Sequence, residues 1–211
     1  MKRKTLTTVA LLLTVSAAAH ANSFGKYSYI GVGLQYSEQK NDSLGSFLGS
    51  EYDGKGARDL FGINFTGSYS PTTLDMYVKY EFEGTTSGNT DISSSFAGLG
   101  GYHNFATSSL FYTVGVSKYG VEREHTSREG SARFTKYGPA ADLGVSFQLA
   151  PFLALTPRYR ISYLDHDVMN DYKLTGQFMF GSTFSLEVSA GYNTYRDSEQ
   201  FNGQTAVKFA F

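Results

Sequence analysis

Between Leu74 and Glu83 the chain alternates without a break. Leu74, Met76, Val78, Tyr80 and Phe82 alternate with Asp75, Tyr77, Lys79, Glu81 and Glu83. Successive side chains of a β-strand leave on opposite faces, so a period of two marks a strand with one greasy and one polar face. The chain ends in the same way. Thr205, Val207, Phe209 and Phe211 fall on one face, and Gln204, Ala206, Lys208 and Ala210 on the other. A strand that finishes on an aromatic residue must close against a neighbour, or it remains an exposed edge.

The same rhythm recurs along the chain. Strands are expected at Tyr27–Tyr36, Leu60–Tyr69, Leu74–Glu83, Ser94–His103, Leu110–Tyr119, Phe134–Leu149, Leu153–Tyr163, Tyr172–Phe180 and Phe184–Tyr195, before the terminal one. Tight turns fall at Ser70–Thr73, Ala150–Pro151 and Gly181–Thr183. Long polar stretches occupy Ser37–Asp59 and Gly120–Arg133. Intermediate loops are expected at Gly84–Ile92, Asp165–Asp171 and Arg196–Gly203. Folding about Ser70–Thr73, with Pro71 fixing φ, sets Ile63 beside Tyr80, Phe61 beside Phe82 and Asn64 beside Lys79. In Ser94–His103 Phe96 and Tyr102 compete with Ala97 and Leu99 for the outer face, and a bulge would mix them. An even number of strands in a meander, with connections alternately short and long, is the pattern of a membrane barrel.

The two faces indicate which side is wet. One carries Phe, Tyr, Leu, Val and Ile on nearly every strand. The other is rich in Gly, Ser and Ala, with charges placed singly. Lipid contact needs the first and a narrow lumen the second. The competing reading, a soluble barrel, would turn the greasy face inward. With 16 Tyr, 17 Phe and no Trp, any interfacial girdle must use Tyr and Phe.

The first residues supply the route to such a membrane. Met1-Lys2-Arg3-Lys4 is a basic start, Leu6 to Ala19 carries no charge, and Ala19-His20-Ala21 fits a small-x-small cleavage site. This is the pattern of a secretory signal peptide, residues 1–21, and it leaves one barrel domain over 22–211. Removing Lys2, Arg3 and Lys4 leaves 15 of the 18 basic residues against 19 acidic ones, about −4 formally. Mild acidity argues against a nucleic-acid partner. With no cysteine, the exported domain relies on hydrogen bonds and burial alone.

The leader, the alternating strands and the ending Val207-x-Phe209-x-Phe211 resemble the small bacterial outer-membrane barrels of the OmpX/Ail and OmpA-barrel superfamily. Tyr137-Gly138-Pro139-Ala140, with Asp142 and Leu143-Gly144-Val145, is similar to a membrane strand of that family. The resemblance implies a transmembrane antiparallel up-and-down β-barrel, all-β, in the outer membrane of a Gram-negative cell. It also implies that Phe211, with Val207 and Phe209, carries the signal read by the outer-membrane assembly machinery. The family usually has eight strands. The pattern here counts about ten, with eight the alternative.

Candidate functional residues follow from the faces. Asp75, Lys79, Glu81, Asp142, Arg158, Arg160, Glu187 and Lys208 point to the expected lumen. Folding about Ala150–Pro151 brings Asp142 opposite Arg158 or Arg160, and the last hairpin brings Glu187 near Lys208. Charges sealed in a lumen must pair, since leaving one alone costs several kcal/mol. They either plug the lumen or form a charged constriction. Arg123, Arg128 and Arg133, with Lys136, lie where lipopolysaccharide presents phosphates, and Arg suits phosphate. Glu122, Glu124 and Glu129 can neutralise them. Leu44, Phe47, Leu48 and Tyr52 either touch a host surface molecule or pack over the barrel mouth. His166, between Asp165 and Asp167, is a candidate general base. His103 and His125 have no evident partner, and no cofactor or metal is expected. The function expected is non-enzymatic, through surface loops in adhesion or protection, or as a structural membrane component. A small passive channel is the first alternative. A protease or lipid A-modifying enzyme using His166 is the second.

Overall fold

The computed structural model describes residues 24–40, 44–49, 58–71, 74–123 and 132–211. The leader, Tyr52, Glu124, His125, Arg128 and Glu129 lie outside the described residues. Ten antiparallel strands form one closed barrel in strict meander order. They are β1 (Tyr29–Gln39), β2 (Asp59–Tyr69), β3 (Met76–Ser87), β4 (Thr90–Asn104), β5 (Ser108–Arg123), β6 (Ala132–Ala150), β7 (Leu153–Leu164), β8 (Asp167–Met179), β9 (Phe184–Tyr195) and β10 (Ser198–Ala210). A single turn of helix, α1 (Gly45–Leu48), lies between β1 and β2. The ring closes where β1 lies between β2 and β10. Val32 faces Phe65 on one side and Val207 on the other. The terminal strand thus has no free edge, and all backbone groups of the wall can pair within the protein, as a bilayer demands.

The outward face is apolar on every strand. Ile30, Val32 and Leu34 on β1, Ile63 and Phe65 on β2, Val78 and Tyr80 on β3, and Tyr112, Val114 and Val116 on β5 are all exposed. So are Leu143 on β6, Ile161 on β7, Leu174 on β8, Val188 on β9 and Phe209 on β10. The inward face is polar at mid-height: Asn64, Lys79, Thr113, Asp142, Arg158, Arg160 and Gln204 are buried. Aromatic side chains flank the apolar band at both ends. Phe105, Phe152, Phe180 and Phe211 lie at the base, where β1 begins and β10 ends, and Tyr36, Tyr137, Tyr163 and Phe201 towards the mouth.

Several expectations need correction. The β2–β3 register is displaced by four residues: Phe65 faces Phe82, Asn64 faces Glu83 and Ser68 faces Lys79. The reversal is not centred on Pro71. The pairing is centred two residues further along the chain than the expected turn, and the Leu74 N–H donates to the Pro71 carbonyl. A shift by an even number keeps every side chain on its face, so alternation alone could not detect it. The loops expected at Gly84–Ile92, Asp165–Asp171 and Arg196–Gly203 are mostly strand. They shrink to two-residue turns at Gly88–Asn89, Asp165–His166 and Arg196–Asp197. Ser37–Gln39 and Gly120–Arg123, assigned to long loops, also continue their strands. In β4 the register runs unbroken from Thr90 to Asn104 with no bulge. Phe96 points inward, almost fully buried, and Leu99 outward. Asp75 is an exposed rim residue and does not enter the lumen.

Towards the mouth the two faces exchange character. On β5 Leu110, Tyr112, Val114 and Val116 are even-numbered and outward, with Phe111 alone turned into the base, and above them the greasy residues are odd-numbered and inward at Tyr119 and Val121. Leu60 on β2, Ile92 on β4, Phe134 on β6, Leu164 on β7, Met169 on β8 and Tyr195 on β9 make the same switch. The paired β5–β6 register stays continuous through it. The wall therefore has a lower section, greasy outside and polar inside, and an upper section, greasy inside and polar outside.

Candidate functional site

The lumen of the lower section is built from ion pairs. Alternation on β3 sends Lys79 and Glu81 inward, and β6, β7 and β8 supply Asp142, Arg158, Arg160 and Asp171 from across the barrel. Asp142 and Arg160 are direct cross-strand neighbours. Lys79 Nζ lies 2.9 Å from Glu81 Oε1 and 3.2 Å from Asp142 Oδ2. Arg158 Nη1 donates to both Glu81 oxygens, at 2.8 and 2.7 Å, while its Nη2 reaches Asp171 Oδ2 at 2.9 Å. Arg160 Nη2 donates to Asp142 Oδ2 at 2.8 Å and also to Glu81 Oε2. The Arg160 guanidinium lies 3.9 Å from the centre of the Phe96 ring. The bar thus ties β3 to β7, four strands away round the wall, across the lumen's width.

Two further pairs line the same wall. Lys173 meets Glu83 at 3.0 Å, and Lys208 meets Glu187 at 3.0 Å with its ammonium 3.9 Å over the Tyr29 ring. Among the described residues of these pairs, five cations face five carboxylates and the charges balance. The seven lumen residues expected from the alternation, Lys79, Glu81, Asp142, Arg158, Arg160, Glu187 and Lys208, all sit in these contacts. Asp171, Lys173 and Glu83 were not paired from sequence. Asp171 fell in a presumed loop, so its facing direction could not be read, whereas Lys173 and Glu83 lay on the polar faces of expected strands and lacked only an assigned partner.

Both ends are filled. At the base, the segment before β1 folds into the barrel. The Tyr27 ring stacks on Tyr102 and Tyr77 at 4.1 and 5.0 Å between centres, and its hydroxyl lies 2.7 Å from Ser109 Oγ. Phe24 packs on Ala154 and Met179. Gly144 leaves the space that the Phe111 ring occupies: a Cβ there would sit 2.3 Å from that ring. Between these aromatics and the ion bar lies a cavity of about 130 Å³, lined in part by Tyr29, Lys79, Arg158, Gln177 and Lys208. At the mouth, Leu44 and Phe47 of the first loop are buried among Leu60, Ile92, Tyr119, Val121, Phe134, Leu164, Met169 and Tyr195. For Leu44 and Phe47, and in part for Leu48, packing over the mouth is the reading observed.

The fold is a closed ten-strand antiparallel up-and-down β-barrel with an apolar outer face. Among solved structures, this barrel is similar to Ail, the attachment invasion locus protein of Yersinia pestis, at 16% identity over 88% of this chain and 99% of that one, TM-score 0.44. It is similar to Neisserial surface protein A at 11% identity over 87% and 96%, TM-score 0.43. It is similar to the outer-membrane protease OmpT from Escherichia coli at 10% identity over 87% and 96%, TM-score 0.49. Likeness at this level assigns no activity to the barrel. No protein-family model matches the chain. No curated protein matches it either.

The remaining candidates are placed as follows. Val207, Phe209 and Phe211 lie on the outer surface of β10 and at its end. Arg133 lies 3.7 Å from Glu122, and Arg123 ends β5 opposite Ala132. Lys136 contacts Asp165 at 2.7 Å. His103 stands edge-on to Phe105. His166 is exposed with its ring edge-on to Tyr163, while the carboxylates on either side are held by cations: Asp165 by Lys136 and Arg196, Asp167 by Arg196.

The hydrogen bond from Lys136 holds the Asp165 carboxyl below its ordinary pKa, with the Lys136 and Arg196 charges adding to it against partial desolvation. A carboxylate whose pKa falls on folding stabilises the folded state above its unfolded pKa, about 3.9. That contribution is lost as pH drops through the lowered folded value. Carboxyl NMR of the folded barrel is expected to give Asp165 a midpoint below 3.9, moving up in Lys136→Ala. A midpoint at or above 3.9 in the wild type would contradict the pairing.

Proposed function

We propose that the protein is a non-enzymatic barrel of the outer membrane that acts through its external hairpins and does not pass solutes. The carrying observation is the bar of Lys79, Glu81, Asp142, Arg158 and Arg160 across the lumen, with apolar packing above it and aromatic packing below. Moving an ion along this path means parting buried, mutually satisfied charges, at several kcal/mol each. The upper section projects the β3–β4, β5–β6, β7–β8 and β9–β10 hairpins beyond the greasy band, as a rigid platform for contact with lipopolysaccharide, through Arg133 and Lys136, or with a host surface. The commitment of Asp165 and Asp167 to Arg196 supports a non-catalytic His166, since a general base needs a partner to orient it.

Reconstitution in a planar bilayer tests the reading. Purified barrel is expected to give no steady single-channel steps. Regular steps that vanish when the lumen is narrowed by Thr175→Phe, at a position that lines the cavity, would establish instead the channel reading, which the 130 Å³ cavity favours.

A further inference from the structure

The mouth holds a concentration of unusual backbone. Among the described residues only three non-glycine residues have positive φ: Asp165 (52°), His166 (70°) and Arg196 (54°). Two of the three, Asp165 and Arg196, meet in one side-chain cluster. A bulky residue at positive φ is held there against its own preference, and such strain collects at sites that do something. At the first position of a two-residue hairpin turn glycine is the usual occupant, and here it is Arg196.

That placement throws the Arg196 side chain across the opening. Its Nε donates to Asp167 Oδ2 at 2.9 Å and its Nη2 to Asp165 Oδ2 at 2.9 Å. Its Nη1 donates to the Ser46 carbonyl of α1 at 2.8 Å. The guanidinium also covers the Phe134 ring at 4.8 Å and the Tyr195 ring at 5.7 Å. Next to it, Ser46 Oγ donates to Asp197 at 3.2 Å. The α1 turn has no side-chain cap of its own. It sits on the barrel through Leu44 and Phe47 below and these two rim bonds above. Phe47 fits among Tyr119, Phe134 and Tyr195 at 5.3–5.7 Å between ring centres. The walls of that aromatic chamber are hydrogen-bonded strands, complete without α1.

We propose that α1 is a detachable lid and that Arg196 is its latch, so that releasing Arg196 uncovers an aromatic chamber facing outward from the cell surface. The two carboxylates pre-set the arginine, and the Ser46 carbonyl is the single bond that the latch makes to the lid's backbone. One charge-assisted hydrogen bond shifts an open–closed equilibrium by roughly tenfold to a hundredfold.

The chain has no cysteine, so an introduced thiol is the only one. Val121→Cys places it in the chamber wall under the lid, and Thr113→Cys places a control in the lumen below; both positions are buried. The key second change is Arg196→Gly, which removes the latch and also removes the positive-φ strain, so the turn keeps its shape. Barrel reconstituted in nanodiscs is treated with a membrane-impermeant thiol reagent. Expected is roughly a tenfold or greater rise in Val121→Cys labelling on adding Arg196→Gly, with Thr113→Cys labelling and heat-modifiable gel migration unchanged. Equal Val121→Cys labelling in the two backgrounds would overturn the latch. A parallel rise at Thr113→Cys would overturn it too, since the whole barrel would then have loosened.

Discussion

Replacing Glu81 by alanine is expected to destabilise the barrel by about 3–5 kcal/mol, the cost of leaving buried charges without their partner. Glu81 accepts from Arg158 and Arg160 and contacts Lys79, so one truncation strands three cations at once. Asp142 and Asp171 can retain part of that charge, and this keeps the figure within the range for a single broken pair. The measurement is urea unfolding of barrel folded into lipid vesicles, extrapolated to zero denaturant. Glu81→Gln keeps the shape and two hydrogen-bonding ends but loses the charge, and should fall between alanine and wild type. Exchanging Glu81, Arg158, Arg160 and Asp171 together for Leu, Met, Leu and Asn leaves Lys79 paired with Asp142 and should recover most of the loss. A buried ionic cluster is costly to break but contributes little net stability over an apolar core of equal volume. A Glu81→Ala barrel within about 1 kcal/mol of wild type would mean that the bar is hydrated and loose, and the sealed-lumen reading would go with it.

Much of this cluster was legible because two constraints act together. Alternation fixes the face, and a short turn fixes the register. Ala150–Pro151 therefore sufficed to set Asp142 against Arg158 or Arg160, and direct pairing with Arg160 follows. Where the turn was misplaced, as between β2 and β3, the faces were right and the neighbours wrong by four residues. Asp171 was out of reach for another reason. The start of β8 reads Asp167-Val168-Met169-Asn170-Asp171, with polar and apolar residues mixed on both sides of the alternation, and looks like a loop. The same holds for Gly84 to Asp91, where Thr85 and Thr90 are buried but not greasy.

Those segments share a physical position: they lie above the greasy band. Once a strand leaves hydrocarbon, its outward residues no longer need to be apolar, and the greasy face moves inside to make an ordinary water-surrounded core. The sequence carries that switch as a change of parity, from Val114 and Val116 to Tyr119 and Val121. In the other direction it runs from Phe134 to Tyr137, Pro139 and Ala141. A reading that follows only one phase ends the strand at the switch. This is why the external hairpins were assigned to loops of intermediate length. The mouth chamber and the Arg196 contacts lie wholly in this inverted section, so nothing in the membrane pattern pointed to them.

The parity switch also makes the membrane boundary testable with single residues. Val114 points outward near the middle of the lower section, and Ser93 points outward above the switch, on the adjoining strand β4. Val114→Arg is expected to cost about 2–4 kcal/mol in vesicle-folded barrel, as a cation placed near the bilayer midplane does, and Ser93→Arg about 0–1. The native chain marks the transition between them. Lys118 lies on the outward face directly past Val116, its ammonium 5.9 Å from the Tyr137 ring, an amphipathic pair suited to the interface between hydrocarbon and headgroups. Equal costs at the two sites would place both in the same solvent, and the exposed Val, Leu and Phe side chains would then need another cover than lipid. A large cost at Val114 alone places the boundary between Val114 and the level of Ser93, which faces Gly120. It also leaves the chamber beneath α1 on the watery side, where a partner from outside the cell could reach it.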